Sequence, residues 1–381
     1  MTEERLRVGI VANTIDADYG VRTGGTLHFL EVAKRMSAWD VTIFAPSFAA
    51  AELRTLAPSA RVVPIPSIRR LTASKIPLFA ASLVTWLACV GDLRACDVLY
   101  ASSHFLGDTI PALAVRGRRT LVVVHHIIDA AESRPGSGAR NAIAFLTERL
   151  SLRLVRSFGG SIAVDTPGVE RELRRLGLRN RCIVSGNAVD VQPSRFEARR
   201  PHDVAFVGRL SPTKGVDDLL RAWPTVVDAV PDARLRIVGD GTPAYRASLV
   251  ELRAALGITK SVSFLGRASD EEKFAVLRSS SVFAFPSKEE GWGIALAEAM
   301  ACGLACVTYD LAAYVETFTR GRVAVTFGDV AALGEALRDL LLDDARRAAL
   351  AAEAESLGRG FDWANVADLE IAEIRAVASG S

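Results

Sequence analysis

SVFAFPSKEEGWGIALAEAMACG, residues 281–303, sets a strand, a glycine turn and a helix in immediate succession. Val282–Phe285 is a short apolar run, rich in aromatics and of the length of a buried strand. Pro286 and Ser287 end it. Glu289, Glu290 and a tight Gly291-Trp292-Gly293 follow. From Ile294 to Met300 every residue but the isoleucine is a good helix former, and Gly303 is placed to stop the helix. Glycine in such a turn lets backbone N–H groups approach a ligand, and a helix N-terminus favours anions. Gly293 and Ile294 are therefore candidate phosphate-binding amides. Glu290 stands in the turn, and Glu298 stands inside the helix among Ala, Leu and Met. One reading leaves Glu298 facing solvent with Glu290 capping the helix. The other buries Glu298, which then needs donors, and ligand hydroxyls would serve.

The same stretch resembles the signature of the retaining nucleotide-sugar glycosyltransferases of family 4. There, two glutamates separated by seven residues flank Gly-aromatic-Gly. Glu290, Gly291, Trp292, Gly293 and Glu298 match it, followed by Ala299-Met300-Ala301-Cys302-Gly303. The resemblance implies that Glu290 contacts the donor sugar, that Glu298 holds the ribose hydroxyls, and that amides near Gly293 and Ile294 hold the diphosphate.

Length and composition set the frame. A chain of 381 residues suggests two domains, and 50% hydrophobic with 24% charged residues is ordinary for a globular protein. Arg5 and Arg7 run straight into Val8–Val11, which reads as a first strand and not as a cleavable leader. The longest apolar run, Ile76–Val90, is shorter than the roughly 20 residues that span a bilayer. Cys89, Cys96, Cys182, Cys302 and Cys306 are scattered without metal-ligand spacing, so reduced thiols, a cytoplasmic setting and no metal are expected. Residues 1–190 carry 24 Lys+Arg against 17 Asp+Glu, a net of +7, and residues 191–381 carry 22 against 27, a net of −5. Such a split reads as solvated faces and attraction between domains. It also reads as a basic first domain, with Arg69, Arg70 and Lys75, that touches the inner face of a membrane. No nucleic-acid partner is expected.

Working outward, short apolar strands alternate with helical patterns on both sides of the opening stretch. Leu6–Val11, Val41–Ala45, Arg61–Ile65, Val98–Ala101, Leu121–Val124 and Ser161–Val164 are the strands of the first half. This is the pattern of a parallel sheet covered by helices, whose ligands bind beyond the carboxyl ends of the strands. His125 and His126 stand at such an end, and His104 just after another. Gly24-Gly25 opens a helix but lacks the Gly-x-Gly-x-x-Gly of a dinucleotide site. In the resembled family a glycine pair here lies against the donor phosphates, and a histidine ending this strand approaches the transferred sugar. His125 matches that histidine by the valines before it, with His126 as alternative. The family's usual Ser is Asp165 here. The polar loop Asp129–Gly138 is expected near the acceptor.

The alternation restarts at Asp203. Arg209 at a strand end and Lys214 before a helix could pinch a diphosphate, the arginine through a bidentate fork. The family's Gly-Arg-Leu-x-x-x-Lys-Gly is complete here, with Gly208, Arg209, Leu210, Lys214 and Gly215, and implies that role. Gly239-Asp240-Gly241 reads as a turn. Phe264, Leu265, Gly266 and Arg267 match the stretch that lines the family's nucleobase pocket. Ser269 and Glu272 form a capping-box pattern, and Val330–Glu355 reads as one long helix.

The expected fold is α/β: two Rossmann-like domains with parallel sheets facing across a cleft, the GT-B arrangement. Residues 1–190 form the acceptor side, 191–358 the donor side, and 359–381 a closing helix that packs back on the first domain. The implied activity is transfer of a sugar from a UDP- or GDP-sugar to an acceptor hydroxyl, with retention of configuration and no cofactor. The acceptor stays open among lipid-linked, polymeric and small molecules. A nucleotide-sugar epimerase of similar layout and a non-catalytic nucleotide-sugar binder remain as alternatives. The first would convert donor without acceptor, and the second would bind without turnover.

Overall fold

The computed structural model describes residues 5–15, 21, 24–66, 86–128, 138–190 and 199–380. Arg69, Arg70, Lys75, most of the Ile76–Val90 run, the loop 129–137 and residues 191–198 lie outside the described residues. The chain divides into two compact units. One is Met1–Asn187 together with Trp363–Ser381, and the other is Ala188–Asp362.

The first unit holds a seven-stranded sheet in the order β3-β2-β1-β4-β5-β6-β7. The strands are β1 Arg7–Val11, β2 Asp40–Pro46, β3 Arg61–Ile65, β4 Val98–Ala101, β5 Thr120–Val124, β6 Ser161–Val164 and β7 Cys182–Val184. Every pairing is parallel. β4, β5 and β6 are buried at every residue, as strands covered by helices on both faces must be. β7 escapes the sequence pattern because it is three residues long and only half-buried at the sheet edge. The helix Trp363–Ser379 belongs to this unit and lays Trp363 edge-on against His28 of the helix Gly24–Arg35, at 5.6 Å between ring centroids.

The second unit repeats the plan with six parallel strands in the order β10-β9-β8-β11-β12-β13. These are β8 Asp203–Val207, β9 Arg234–Val238, β10 Val262–Gly266, β11 Val282–Phe285, β12 Ala305–Tyr309 and β13 Arg322–Val325. Phe206, Phe283 and Trp223 are fully buried between the sheet and its helices. The expected single helix Val330–Glu355 is two, Val330–Leu342 and Asp344–Gly358. Asp343 breaks it by taking a non-helical conformation and accepting a hydrogen bond from the Arg346 amide at 2.9 Å, the action of an N-cap. Gly303 ends the Ile294–Ala301 helix in a left-handed conformation. The Leu304 and Gly303 amides bond to the Ala299 and Met300 carbonyls at 3.1 and 2.8 Å. Among the described residues no helix is long and apolar enough to cross a membrane.

Candidate active site

Both sheets change direction at an identifiable point. In the second unit the chain leaves β8 for β9 on one side and returns as β11 on the other, so the loops after β8 and β11 border the crevice where ligands of such sheets bind. Those are the loops that carry Arg209–Lys214 and Glu290–Gly293.

The two loops are fastened together by backbone. The Lys288 amide donates to the Thr213 carbonyl at 2.7 Å, and the Ser287 hydroxyl reaches the same carbonyl at 3.2 Å. Gly215 is left-handed (φ +65°), and a Cβ there would lie 1.9 Å from the Pro286 carbonyl oxygen, so only glycine allows this approach. The result puts Lys214 Nζ 2.5 Å from Glu290 Oε1 and 3.2 Å from the Glu289 carbonyl. Lys214 and Glu290 are 15% and 12% exposed, enough shelter for the pairing to persist. Arg209 stands exposed at the end of β8. The Gly239-Asp240-Gly241 turn has a packing reason. A Cβ on Gly239 or Gly241 would lie 1.8 or 2.0 Å from the carbonyl oxygens of Gly208 or Leu210, so the turn braces the segment that carries Arg209.

Gly293 (φ +113°) caps the Ile294–Ala301 helix, and a Cβ there would crowd Tyr314 at 3.0 Å and Phe318 at 3.2 Å. Beneath the turn, the Trp292 ring packs edge-on against Phe318 and Phe361, at 5.4 and 5.0 Å, and is 4% exposed. The tryptophan side chain is core, so the turn is shaped by an aromatic floor. Tyr314 is part of that floor, and its hydroxyl has no hydrogen-bond partner among the described residues. Burial first, and then the Glu290 carboxylate, pushes the Tyr314 phenol well above its usual range. Helix geometry leaves the first amides of Ile294–Ala301 without intrahelical partners.

Glu298 is buried at 8% exposure, which decides between the two sequence readings. Its donor is Lys273, whose Nζ lies 2.6 Å from Glu298 Oε1. Burial raises the Glu298 pKa, and Lys273 offsets only part of the rise. Lys273 rides on the Asp270–Ser279 helix, whose start is set by the expected capping box of Ser269 and Glu272. Nothing in the local pattern marks Lys273. Phe264 packs beneath Arg253 at 5.4 Å, while Leu265 is 45% exposed at the end of edge strand β10, with Gly266 (φ +73°) and exposed Arg267 next to it.

In the first unit the direction changes between β1 and β4. Asp108 ties the two loops there. It accepts from the Asn13 and Thr14 amides at 2.7 and 3.1 Å, and from the Thr14, Ser103 and Ser102 hydroxyls at 2.7, 2.6 and 3.2 Å. Burial pushes its carboxyl up to about 6 despite those donors.

The histidines separate by strand alternation, since successive residues leave β5 on opposite sides. His125 turns to Asp165, with Nδ1 3.0 and 3.1 Å from its two oxygens, and to Gly25. His126 turns to His104 and Phe105, at 6.2 and 6.4 Å between rings. His104 is buried and bonded to Glu148 at 2.8 Å, and Glu148 also holds the Ile128 amide at 3.0 Å, so this pair anchors the end of β5. His28 lies 5.1 Å from the His125 ring and bonds through Nε2 to Glu370 at 2.8 Å, with Tyr100 and Ser185 donating to the same carboxylate at 2.8 Å each. Ligand atoms of His28, His125 and Asp165 lie within 4.8 Å of one another, a spacing a cation could use. The Asn187 side chain occupies that neighbourhood, donating to Asp165 at 3.3 Å and standing against His28.

A model of the family described as glycosyl transferases group 1 matches residues 191–357. The sequence is 31% identical to the phosphatidyl-myo-inositol mannosyltransferase of Mycobacterium leprae, over 95% of this chain and 94% of that protein. It is 29% identical to the D-inositol 3-phosphate glycosyltransferase of Salinispora tropica, over 89% of this chain and 78% of the relative. HepE of Anabaena, solved in complex with UDP and glucose, is similar in fold with a TM-score of 0.74 at 19% identity, covering 97% of this chain and 99% of that one. With the two Rossmann-like units and the strand–turn–helix signature, these likenesses make the chain a glycosyltransferase of the GT-B fold that belongs to the glycosyl transferases group 1.

Proposed function

We propose that the protein moves a sugar from a UDP- or GDP-sugar to an acceptor hydroxyl, with retention of configuration and without a metal. The observation that carries this reading is the fastened pair of loops at the switch point of the second sheet, where Lys214 and Glu290 meet beside the Gly293 turn. The diphosphate takes Lys214, Arg209 and the first amides of the Ile294–Ala301 helix. Together these offset the negative charge that grows on the leaving group, a preorganised electrostatic contribution. Glu290, released from Lys214 by the phosphate, accepts hydroxyls of the sugar, and Glu298 holds the ribose. Phe264, Leu265, Gly266 and Arg267 border the base; by the family resemblance Gly24 and Gly25 lie against the donor phosphates and His125 at the transferred sugar. The acceptor oxygen bonds to the anomeric carbon from the face the phosphate leaves as the sugar–phosphate bond breaks, and the leaving phosphate takes the acceptor's proton, so retention needs no covalent sugar–enzyme bond.

The relatives' names support a donor that is a nucleotide sugar and an acceptor of inositol type, lipid-borne in the case of the mannosyltransferase. A membrane-side acceptor suits the Gly138–Phe158 helix, which exposes Ile143, Leu146 and Leu150 along one stripe that continues into Arg153. The cytoplasmic leaflet is the surface such a basic unit would meet.

Thermal-shift titration against UDP-, GDP-, ADP- and dTDP-sugars, repeated with Lys214→Ala, tests the donor site. One nucleotide series should raise the melting temperature of the wild type and lose most of that effect in the variant. No stabilisation by any of them, or full stabilisation of Lys214→Ala, overturns the reading. Product analysis by NMR of the anomeric proton tests retention, and full activity in chelator tests metal independence.

A further inference from the structure

Asp165 replaces the serine expected at the end of β6, and its surroundings show what the carboxylate does. It is 4% exposed. It faces His125 Nδ1 through both oxygens, at 3.0 and 3.1 Å, and Asn187 Nδ2 steadies it at 3.3 Å. A lone pair on Nδ1 aimed at a carboxylate would be repelled, so this nitrogen is the protonated one and donates. In the neutral ring with its proton on Nδ1, Nε2 keeps a bare lone pair. His125 Nε2 is itself buried and has no hydrogen-bond partner among the described residues. It stands over Gly25, where a Cβ would come within 3.3 Å. A bare ring nitrogen accepts hydrogen bonds and offers nothing to a phosphate oxygen, so its fitting partner is a hydroxyl.

We infer that Asp165 is a positioning residue for His125. By accepting the Nδ1 proton it locks the tautomer whose Nε2 lone pair, over Gly25, takes a hydrogen bond from a hydroxyl of the transferred sugar. The inference rests on the proposed role of His125 at the sugar, and it adds the reason for the Ser-to-Asp departure. It also separates the duties of the glycine pair. Gly25 keeps the approach to Nε2 open, so its neighbour is a sugar hydroxyl and not the phosphate.

The test uses the full chain with Asp165→Asn, Asp165→Ser, His125→Gln and the double variant His125→Gln/Asp165→Asn. Melting temperatures confirm folding. Steady-state kinetics are read beside 15N spectra of histidine-labelled protein, with the His125 signals assigned from their loss in His125→Gln. The wild type should show Nδ1 protonated and Nε2 bare. Asp165→Asn and Asp165→Ser should lower kcat about tenfold or more, of the order seen when a partner that orients a histidine is removed, with a smaller change in KM. Their ring signals should move toward mixed tautomers. The double variant should be little worse than His125→Gln, since the two act as one unit. Normal kcat in both Asp165 variants, with His125→Gln impaired, overturns the inference and leaves the proposed function standing. Normal turnover in His125→Gln overturns the role of His125 itself. A wild-type spectrum with Nε2 protonated overturns the inference whether or not either Asp165 variant folds.

Discussion

Replacing Gly215 by alanine should separate backbone strain from loop registration, because the structure supplies its own control. Gly215 and Gly257 have nearly the same left-handed conformation, φ +65° and +70°. At Gly257 an added Cβ meets nothing within 4 Å, whereas at Gly215 it lies 1.9 Å from the Pro286 carbonyl oxygen. Real Cβ contacts are not shorter than 3.0 Å, so the Lys214 and Pro286 loops must part by at least 1.1 Å. Alanine in a left-handed conformation costs about 1 kcal/mol, and that is all Gly257→Ala should show. Gly215→Ala should cost about 2–4 kcal/mol, the same strain plus about 1–3 kcal/mol of overpacking. The opening breaks the registry that holds Lys214 against Glu290 at 2.5 Å, and a displacement near 1 Å at a reacting centre can lower rates about 100-fold. Urea unfolding of the second unit and kcat/KM with the identified donor are the assays. Equal stability losses in the two variants would refute the contact argument. A destabilised Gly215→Ala with normal kcat/KM would show that the fastening of the loops has no part in catalysis.

Lys273→Met leaves the buried Glu298 carboxylate without its cation, and breaking such a pair costs about 3–5 kcal/mol. Nucleotide affinity should fall with it, and Lys273→Arg should recover part of both in urea titration and calorimetry. Unchanged affinity in a folded Lys273→Met would detach Glu298 from the ribose. The His28–Glu370 pair should make the Trp363–Ser379 helix pH-sensitive. Burial opposes both charges, yet their mutual contact wins, leaving His28 above 6.5 and Glu370 below 4.5. A raised histidine stabilises fully below 6.5 and fades as pH climbs through its folded value. A depressed carboxyl stabilises fully above 4.5 and fades as pH drops through its own. Amide exchange in that helix, corrected for intrinsic rates, should therefore be slowest between pH 4.5 and 6.5. Protection that stays flat to pH 9, or that follows the same curve in Glu370→Gln, would exclude the pair as the anchor.

The alternation of apolar runs with helical periods, the Gly-Arg-Leu-x-x-x-Lys-Gly and Glu-x7-Glu signatures and the Ser269 capping box were all legible in the chain. Each is a statement about neighbours in sequence, and local geometry follows from local residue types. The break at Asp343 escaped the sequence pattern, because the Ala/Leu composition around it outweighed a single capping residue. β7 was not legible, because three half-buried residues carry too little pattern. The double histidine shows the limit most clearly. Its residue types pointed to the end of β5, while the register of the strand sent one ring to Asp165 and the other toward Phe105.

Partnerships across the chain required the fold. Glu298 finds Lys273 25 positions away, His125 finds Asp165 at 40, and His104 finds Glu148 at 44. A buried charge must be matched by whichever donor the sheet order brings beside it, and sheet order is a non-local choice that no window of residues contains. The amino-acid order thus set which elements form and where anions are welcome, since propensity, glycine freedom and exposed amides are short-range properties. Packing alone determined which carboxylate lies buried, which histidine nitrogen is left bare and which glycine holds two loops in contact, because those depend on atoms that meet only after the sheets have closed.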